Sequence, residues 1–329
     1  MTDQVGVVIV TYNSEGFLEP CLEAALRAGP AVVIDNASGD STVAKARRVE
    51  GVRVVANTRN LGFAGAVNQG FRLLSTPYVL LLNPDAILGT SVEPLVVACL
   101  DEKTGAATGQ LVHPTGEPQC GFTVRRLPRW ETLVFEVLGL NRLWPSNPVN
   151  RRYRCRTIDL AKPQFVEQPA GAFLLIKRTV WEDLGGFDER FHPLWFEDVD
   201  FLARMAAAGY RVWYDPQVWA VHHGGHSIAQ LPPVERQRYW YDSLLHYAAK
   251  HFARWQVRTI AAAVLIGAFG RMVTGVLGGR VVGEQFVGVL KQAVDVLRLG
   301  RMRAVETGHP EVDMDGNQTK VRKTQSHGL

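Results

Sequence analysis

Along the first hundred residues, short apolar runs alternate with stretches in which apolar residues recur every three or four positions. Val5 to Val10, Ala31 to Ile34, Val52 to Ala56 and Val79 to Leu82 are rich in Val, Ile and Leu, the pattern of strands buried on both faces. Between them, Glu15 to Ala28, the segment after Ser41 and Ala64 to Leu74 carry the helical period. This alternation predicts an α/β fold with a mainly parallel central sheet flanked by helices. In such sheets ligands bind beyond the carboxyl ends of the strands. Polar residues collect at those ends: Thr11-Tyr12-Asn13 after the first strand, Asp35-Asn36 after the second and Asn83-Pro84-Asp85 after the fourth.

From about 121 to 162 the pattern weakens, and arginines accumulate among Trp130, Trp144 and Tyr153, which reads as a variable insertion outside the core. Order returns with a strand over Gln168 to Lys177 containing Gly171, a helix from Glu197 through Ala208 and a strand Arg211 to Tyr214 leading to His222. The main α/β domain is therefore expected over 1–230. After Leu231-Pro232-Pro233 the chain turns to long helical stretches over 231–300, and the polar tail from 301 has the composition of a disordered segment. The apolar stretch Thr259 to Gly270 is 12 residues long. A bilayer span takes roughly 20, so an interfacial or partner-binding helix is expected.

Composition narrows the class. A chain of 329 residues, 47% hydrophobic and 21% charged, can bury a large core. Its formal charge of +4 is too mild to imply nucleic acid, yet suits an anionic substrate or membrane surface. The four cysteines are widely spaced and suggest neither a zinc knuckle nor a disulfide scaffold. No secretory signal pattern opens the chain, so a cytoplasmic location is expected, including the inner face of the membrane.

Val10-Thr11-Tyr12-Asn13, Ile34-Asp35-Asn36-Ala37-Ser38-Gly39-Asp40, Asn60-Leu61-Gly62-Phe63-Ala64-Gly65-Ala66-Val67-Asn68-Gln69-Gly70, Asn83-Pro84-Asp85 and Glu197-Asp198-Val199-Asp200 together resemble family 2 glycosyltransferases, most closely the rhamnosyltransferase-type branch. The resemblance runs over roughly residues 5 to 230. It implies a GT-A fold, a nucleoside-diphosphate sugar donor, a divalent cation such as Mg2+ or Mn2+, and inversion at the sugar carbon. It also favours rhamnose, a dTDP- or UDP-linked donor, and a glycan or polyprenyl-linked acceptor in cell-envelope polysaccharide synthesis.

The chemistry of such a donor assigns the residues. Thr11, Tyr12, Asn13, Asp35 and Asn36 offer hydrogen bonds to base and ribose, with an Asx turn the competing reading of Asp35. Asn60, Gly62, Phe63 and Asn68 belong to a glycine-bearing loop and helix start that could approach phosphate. Asn83 and Asp85 face the diphosphate, with Asp85 the lead metal ligand. Relatives in the wider fold carry D-x-D here, whereas Asn83 supplies a neutral amide oxygen. The resemblance makes His222 the second ligand, leaving His223 and His226 unassigned, and makes Asp198 the general base. Gly171, Trp195 and Glu197 are acceptor-side candidates, and Asp200 a helix cap. Two other classes stay open: a sugar nucleotidyltransferase, which would need a glycine- and basic-rich loop where Thr11-Tyr12-Asn13-Ser14-Glu15 stands, and a non-catalytic glycan- or membrane-binding protein. The C-terminal helices suit either a membrane surface or a homodimer interface.

Overall fold

The computed structural model describes residues 4–156, 158–224, 231–277 and 283–299. Strands β1 (Val5–Thr11), β2 (Ala31–Asp35), β3 (Val52–Ala56) and β4 (Tyr78–Leu82) lie parallel in the order β3-β2-β1-β4, with α1 (Leu18–Leu26), α2 (Thr42–Ala46) and α3 (Gly62–Leu73) as crossovers. Their register sets Thr11 opposite Asp35 and Asp35 opposite Ala56, so the polar strand ends meet at one edge. Period-two alternation divides the core. Val7 and Ile9 join α1 and α4 (Glu93–Ala98) on one face, while Val8 and Val10 join α3, α8 (Arg178–Asp183) and α9 (Glu197–Ala207) on the other.

The second half of the sheet is mixed. After β5 (Ala86–Leu88) and β6 (Thr104–Val112), the chain returns through β10 (Phe173–Lys177), which lies antiparallel between β4 and β6. It ends in β11 (Arg211–His222), parallel to β6 and antiparallel to β5, with β8 (Gln164–Val166) also paired to β11. The single strand expected over Gln168 to Lys177 is two. β9 (Gln168–Pro169) pairs with β7 (Val124–Arg125) in a separate ribbon, and the chain crosses to the main sheet through Ala170-Gly171-Ala172.

The arginine-rich insertion is not outside the core. It folds into α5 (Trp130–Val137), α6 (Leu140–Leu143) and α7 (Pro148–Tyr153). Leu133 and Val137 enter a third hydrophobic cluster with Phe191, Val199 and the C-terminal helices α10 (Pro233–His251), α11 (Arg254–Leu277) and α12 (Gly283–Leu299). Helix α11 extends well beyond Thr259 to Gly270 because Arg271, expected to end the apolar stretch, donates through Nη1 to the Tyr241 hydroxyl at 2.6 Å. Arg254–Thr274 is long and apolar enough to cross a membrane, with mean hydropathy 1.5 and 33% of that window buried. The tail from 301 and His226 lie outside the described residues.

Candidate active site

Strand register builds the first half of the site. Antiparallel pairing of β5 with β11 sets His222 opposite Ala86, and hence beside Asp85. His222 Nε2 lies 3.5 Å from Asp85 Oδ1, and the Gly224 N–H donates to Asp85 Oδ2 at 3.0 Å. Burial pushes the Asp85 carboxyl up, but the His222 ring and the backbone N–H groups outweigh it and hold the group below the usual carboxylate range. Asp85 is therefore ionised at neutral pH.

Gln119, which sequence reasoning did not single out, fixes the histidine. Its Nε2 donates to the His222 carbonyl, so its Oε1 faces His222 Nδ1, at 2.9 Å. Nδ1 then carries a proton, so in the neutral form of the ring Nε2 holds the lone pair. That Nε2 is buried with no hydrogen-bond partner. A divalent cation would select this neutral form in place of a proton on Nε2, and the lone pair beside the Asp85 carboxylate fits it. Among the described residues no three His, Cys, Asp or Glu groups converge on a metal position. A pair of protein ligands still suits a cation that keeps water and other outside oxygens in its remaining positions, as Mg2+ does.

The second half is built at the start of α9. Gly62 takes φ +76°, and a Cβ there would stand 2.8 Å from His192 Cδ2 and 3.1 Å from the Pro193 carbonyl. This closeness lets the Phe63 N–H donate to the Pro193 carbonyl at 2.7 Å, pinning the following loop. Trp195 and Phe196 both adopt left-handed φ, 77° and 68°. Two such residues in a row cost roughly 1–3 kcal/mol each, and strain of this kind clusters at functional sites.

The loop delivers Glu197 and Asp198. Asp198 accepts the Gly171 N–H on Oδ2 at 3.0 Å and the Val199 N–H on Oδ1 at 2.8 Å. A Cβ at residue 171 would lie 3.1 Å from Asp198 Oδ2, so glycine keeps the carboxylate uncrowded. Burial raises the proton affinity of Asp198 more than those N–H groups and Arg125 lower it. Burial, then the Asp198 charge, pushes Glu197 well above the usual range, and its Oε2 is buried without a partner. Burial thus pushes both neighbouring carboxyls toward their neutral forms. The two halves are tied together, since Asn83 N–H donates to the Ala172 carbonyl at 3.0 Å, next to Gly171.

Both halves open on one cleft of about 410 Å³. Thr11, Tyr12, Asn36, Asn60, Phe63, Asn83, Asp85, Gly171, Trp195, Glu197 and Asp198 line it. Asn13, Asp35, Gly62, Asn68 and His222 are not among the lining residues. Asp35 is buried and accepts from Thr11 Oγ1, Ser38 Oγ and Ser38 N–H, which is the Asx-turn reading of that residue. Asn13, in the loop after β1, accepts on Oδ1 the Gly39 N–H from the loop after β2. Asn68 exchanges hydrogen bonds with the Phe187 backbone, Nδ2 to carbonyl and N–H to Oδ1, and also reaches Glu189, tying α3 to the loop after α8. Phe122, Arg125, Tyr153, Arg154 and Gln168 line the cleft without having been singled out as site residues.

Residues 6–155 match the model of Glycosyl transferase family 2. The N-acetylglucosaminyl-diphospho-decaprenol L-rhamnosyltransferase of Mycobacterium tuberculosis is 30% identical over 275 residues, covering 78% of this chain and 88% of the relative. The chain belongs to glycosyl transferase family 2. This glycosyltransferase is also similar to the O-antigen chain rhamnosyltransferase RfbN of Salmonella typhimurium, at 24% identity over 265 residues, 74% of this chain and 72% of the relative. In fold it resembles the mannosyltransferase PcManGT of Pyrobaculum calidifontis, solved with GDP-Man and Mn2+, at TM-score 0.50 and 19% identity over 90% of this chain and 87% of that one. The GT-A fold expected from the motifs is the fold observed.

Proposed function

We propose that this glycosyltransferase moves a sugar, with rhamnose favoured, from a dTDP- or UDP-linked donor to a hydroxyl of a lipid-linked diphosphate glycan, with inversion, in cell-envelope polysaccharide synthesis. The observation that carries it is the joining in one cleft of an ionised Asp85 beside His222 with an Asp198 of raised proton affinity. The names of the two rhamnosyltransferase relatives support the sugar and the acceptor class. In the proposed displacement, Asp198 takes the acceptor hydroxyl proton as that oxygen attacks the anomeric carbon. The bond to the donor diphosphate breaks and the diphosphate leaves with its electron pair. Asp85 and His222 Nε2 would hold Mg2+ or Mn2+, which when bound neutralises charge on the leaving diphosphate. Thr11, Tyr12, Asn36 and Asn60, which line the cleft, would bind the nucleoside.

Calorimetry with dTDP, UDP and GDP, each with and without Mn2+, tests this reading. One pyrimidine diphosphate is expected to bind in a cation-dependent way and to bind less tightly to Asp85→Ala. Folded protein that binds none of the three would sink it.

A subtler expectation concerns Gln119. Gln119→Leu removes the acceptor that fixes the His222 tautomer, and losses of such supporting contacts typically weaken a metal about 10–100-fold. Titration of Mn2+ followed by its electron paramagnetic resonance reads this without turnover. Unchanged affinity would mean that Gln119 only fills space.

The membrane belongs to the same proposal. On the outward side of α11, Trp255, Ile266, Phe269 and Val273 are exposed, with Arg254 and Arg258 at its start. An apolar stripe flanked by basic residues suits docking on an anionic membrane surface, where a polyprenyl acceptor would be held.

A further inference from the structure

Arg125 stands in the same cleft, and the chemistry above leaves it without a role. It closes β7, where pairing with β9 sets it opposite Gln168, just before the Gly171 N–H that holds Asp198. Its Nε donates to the Gly121 carbonyl at 2.8 Å, and its guanidinium lies 5.6 Å from the Phe122 ring centroid and 5.9 Å from that of Tyr153. Two rings and one backbone acceptor fix the group. Among the described residues no carboxylate forms an ion pair with it, or with Arg154, which also lines the cleft and donates through Nε to Asn150 Oδ1 at 3.0 Å. Arg126, one residue on, pairs with Glu167 at 2.7 Å. One of two adjacent arginines thus meets a protein carboxylate and the other faces the cleft.

A guanidinium held through Nε, whose terminal nitrogens have no hydrogen bond among the described residues, matches phosphate, which accepts two parallel N–H bonds from such a fork. Among the described residues Arg125 meets the Asp85–His222 half of the site only through the Phe122 ring, which stacks on His222 with centroids 5.2 Å apart. The charge of Arg125 also acts on Asp198, beside which the acceptor hydroxyl would sit. Glu136 shares the cleft, but its Oε2 accepts from Asn141 Nδ2 at 2.7 Å.

We infer that Arg125, with Arg154, binds the diphosphate of the lipid-linked acceptor and so sets the acceptor sugar's hydroxyl at Asp198. This rests on the function proposed above, and supplies the reason a diphosphate-bearing acceptor would be chosen over a neutral glycan.

The test is calorimetry on the full chain with geranyl diphosphate, geraniol and, separately, the cation-dependent nucleoside diphosphate. Wild type is expected to bind geranyl diphosphate in preference to geraniol. Arg125→Ala is expected to weaken geranyl diphosphate about 10–100-fold, the size of one or two charge-assisted hydrogen bonds. Arg125→Lys should fall between, Arg126→Ala should match wild type, and nucleoside diphosphate affinity should be unchanged throughout. Equal geranyl diphosphate binding by wild type and Arg125→Ala, or none by wild type, overturns the proposal. So does a loss of nucleoside diphosphate binding in Arg125→Ala, which would place the donor's diphosphate on this arginine. Wild type that binds no nucleoside diphosphate would instead strike the function on which the proposal rests.

Discussion

Asp198→Asn is expected to lower kcat by about 10²–10⁴-fold, the range that a positioned acid or base contributes, while nucleoside diphosphate affinity stays unchanged. The carboxamide keeps the size of the side chain but cannot take a proton at neutral pH. It also has one acceptor oxygen where Asp198 uses two, for the Gly171 and Val199 N–H groups. A modest fall in thermal midpoint should therefore accompany the loss of turnover. Glu197→Gln is the sharper comparison, because it replaces an acid that burial pushes toward its neutral form with a neutral group of the same shape. Its kcat should fall far less. The pH profile separates the two further. Burial raises Asp198 above the ordinary carboxylate value of about 3.9, so the wild-type rate should climb as pH rises through that raised value, and Asp198→Asn should lack this limb. Turnover in Asp198→Asn equal to wild type would remove the residue from the base role.

The parallel half of the fold was legible because buried strands leave long Val and Ile runs. β3 coincides with the expected Val52 to Ala56, and β1 and β2 each extend one residue further, to Thr11 and Asp35. The mixed half was not, since insertion of β10 between β4 and β6 depends on pairing between distant segments that no local period reports. The insertion helices were hidden for a related reason. Leu133 and Val137 look isolated among arginines and aromatics until α11 supplies their partners. In the site, residues at strand ends were readable because topology places them there, whereas Gln119 acts through one amide from an irregular segment. Asn68 could be read equally as a ligand contact or as a structural tie. Only the position of the Phe187 backbone decides for the tie.

Asp200 shows the same limit and carries the largest expected effect on stability. It was expected to cap a helix, but its carboxylate is fully buried and joins three basic side chains. Arg204 Nε donates at 2.9 Å, Lys250 Nζ at 2.9 Å and His251 Nε2 lies at 2.7 Å. Arg204 also donates to the carbonyls of Leu184 and Gly186, and Lys250 to Asp188 at 2.7 Å. One carboxylate thus knots α9, the loop after α8 and the end of α10. It is the polar fastening between the catalytic helix and the C-terminal helices. Asp200→Ala leaves those side chains without their shared acceptor, and breaking a buried pair from one side costs about 3–5 kcal/mol. Against a total of roughly 5–15 kcal/mol, that is enough to loosen α10 from α9 and with it the placement of Asp198. For Asp200 and Asp188 burial pushes the carboxyls up, but the bonds from His251 and Lys250 to the first, and the nearby His246 ring together with bonds from Arg190 and Lys250 to the second, hold both below the ordinary range. A depressed folded value stabilises the protein above the unfolded carboxylate value of about 3.9, and that stability is lost as pH falls through the folded values. Urea unfolding of wild type should therefore show stability falling below about pH 4, with a shallower fall in Asp200→Asn. An Asp200→Ala protein within about 1 kcal/mol of wild type, a surface-pair effect, would show that the knot fastens nothing.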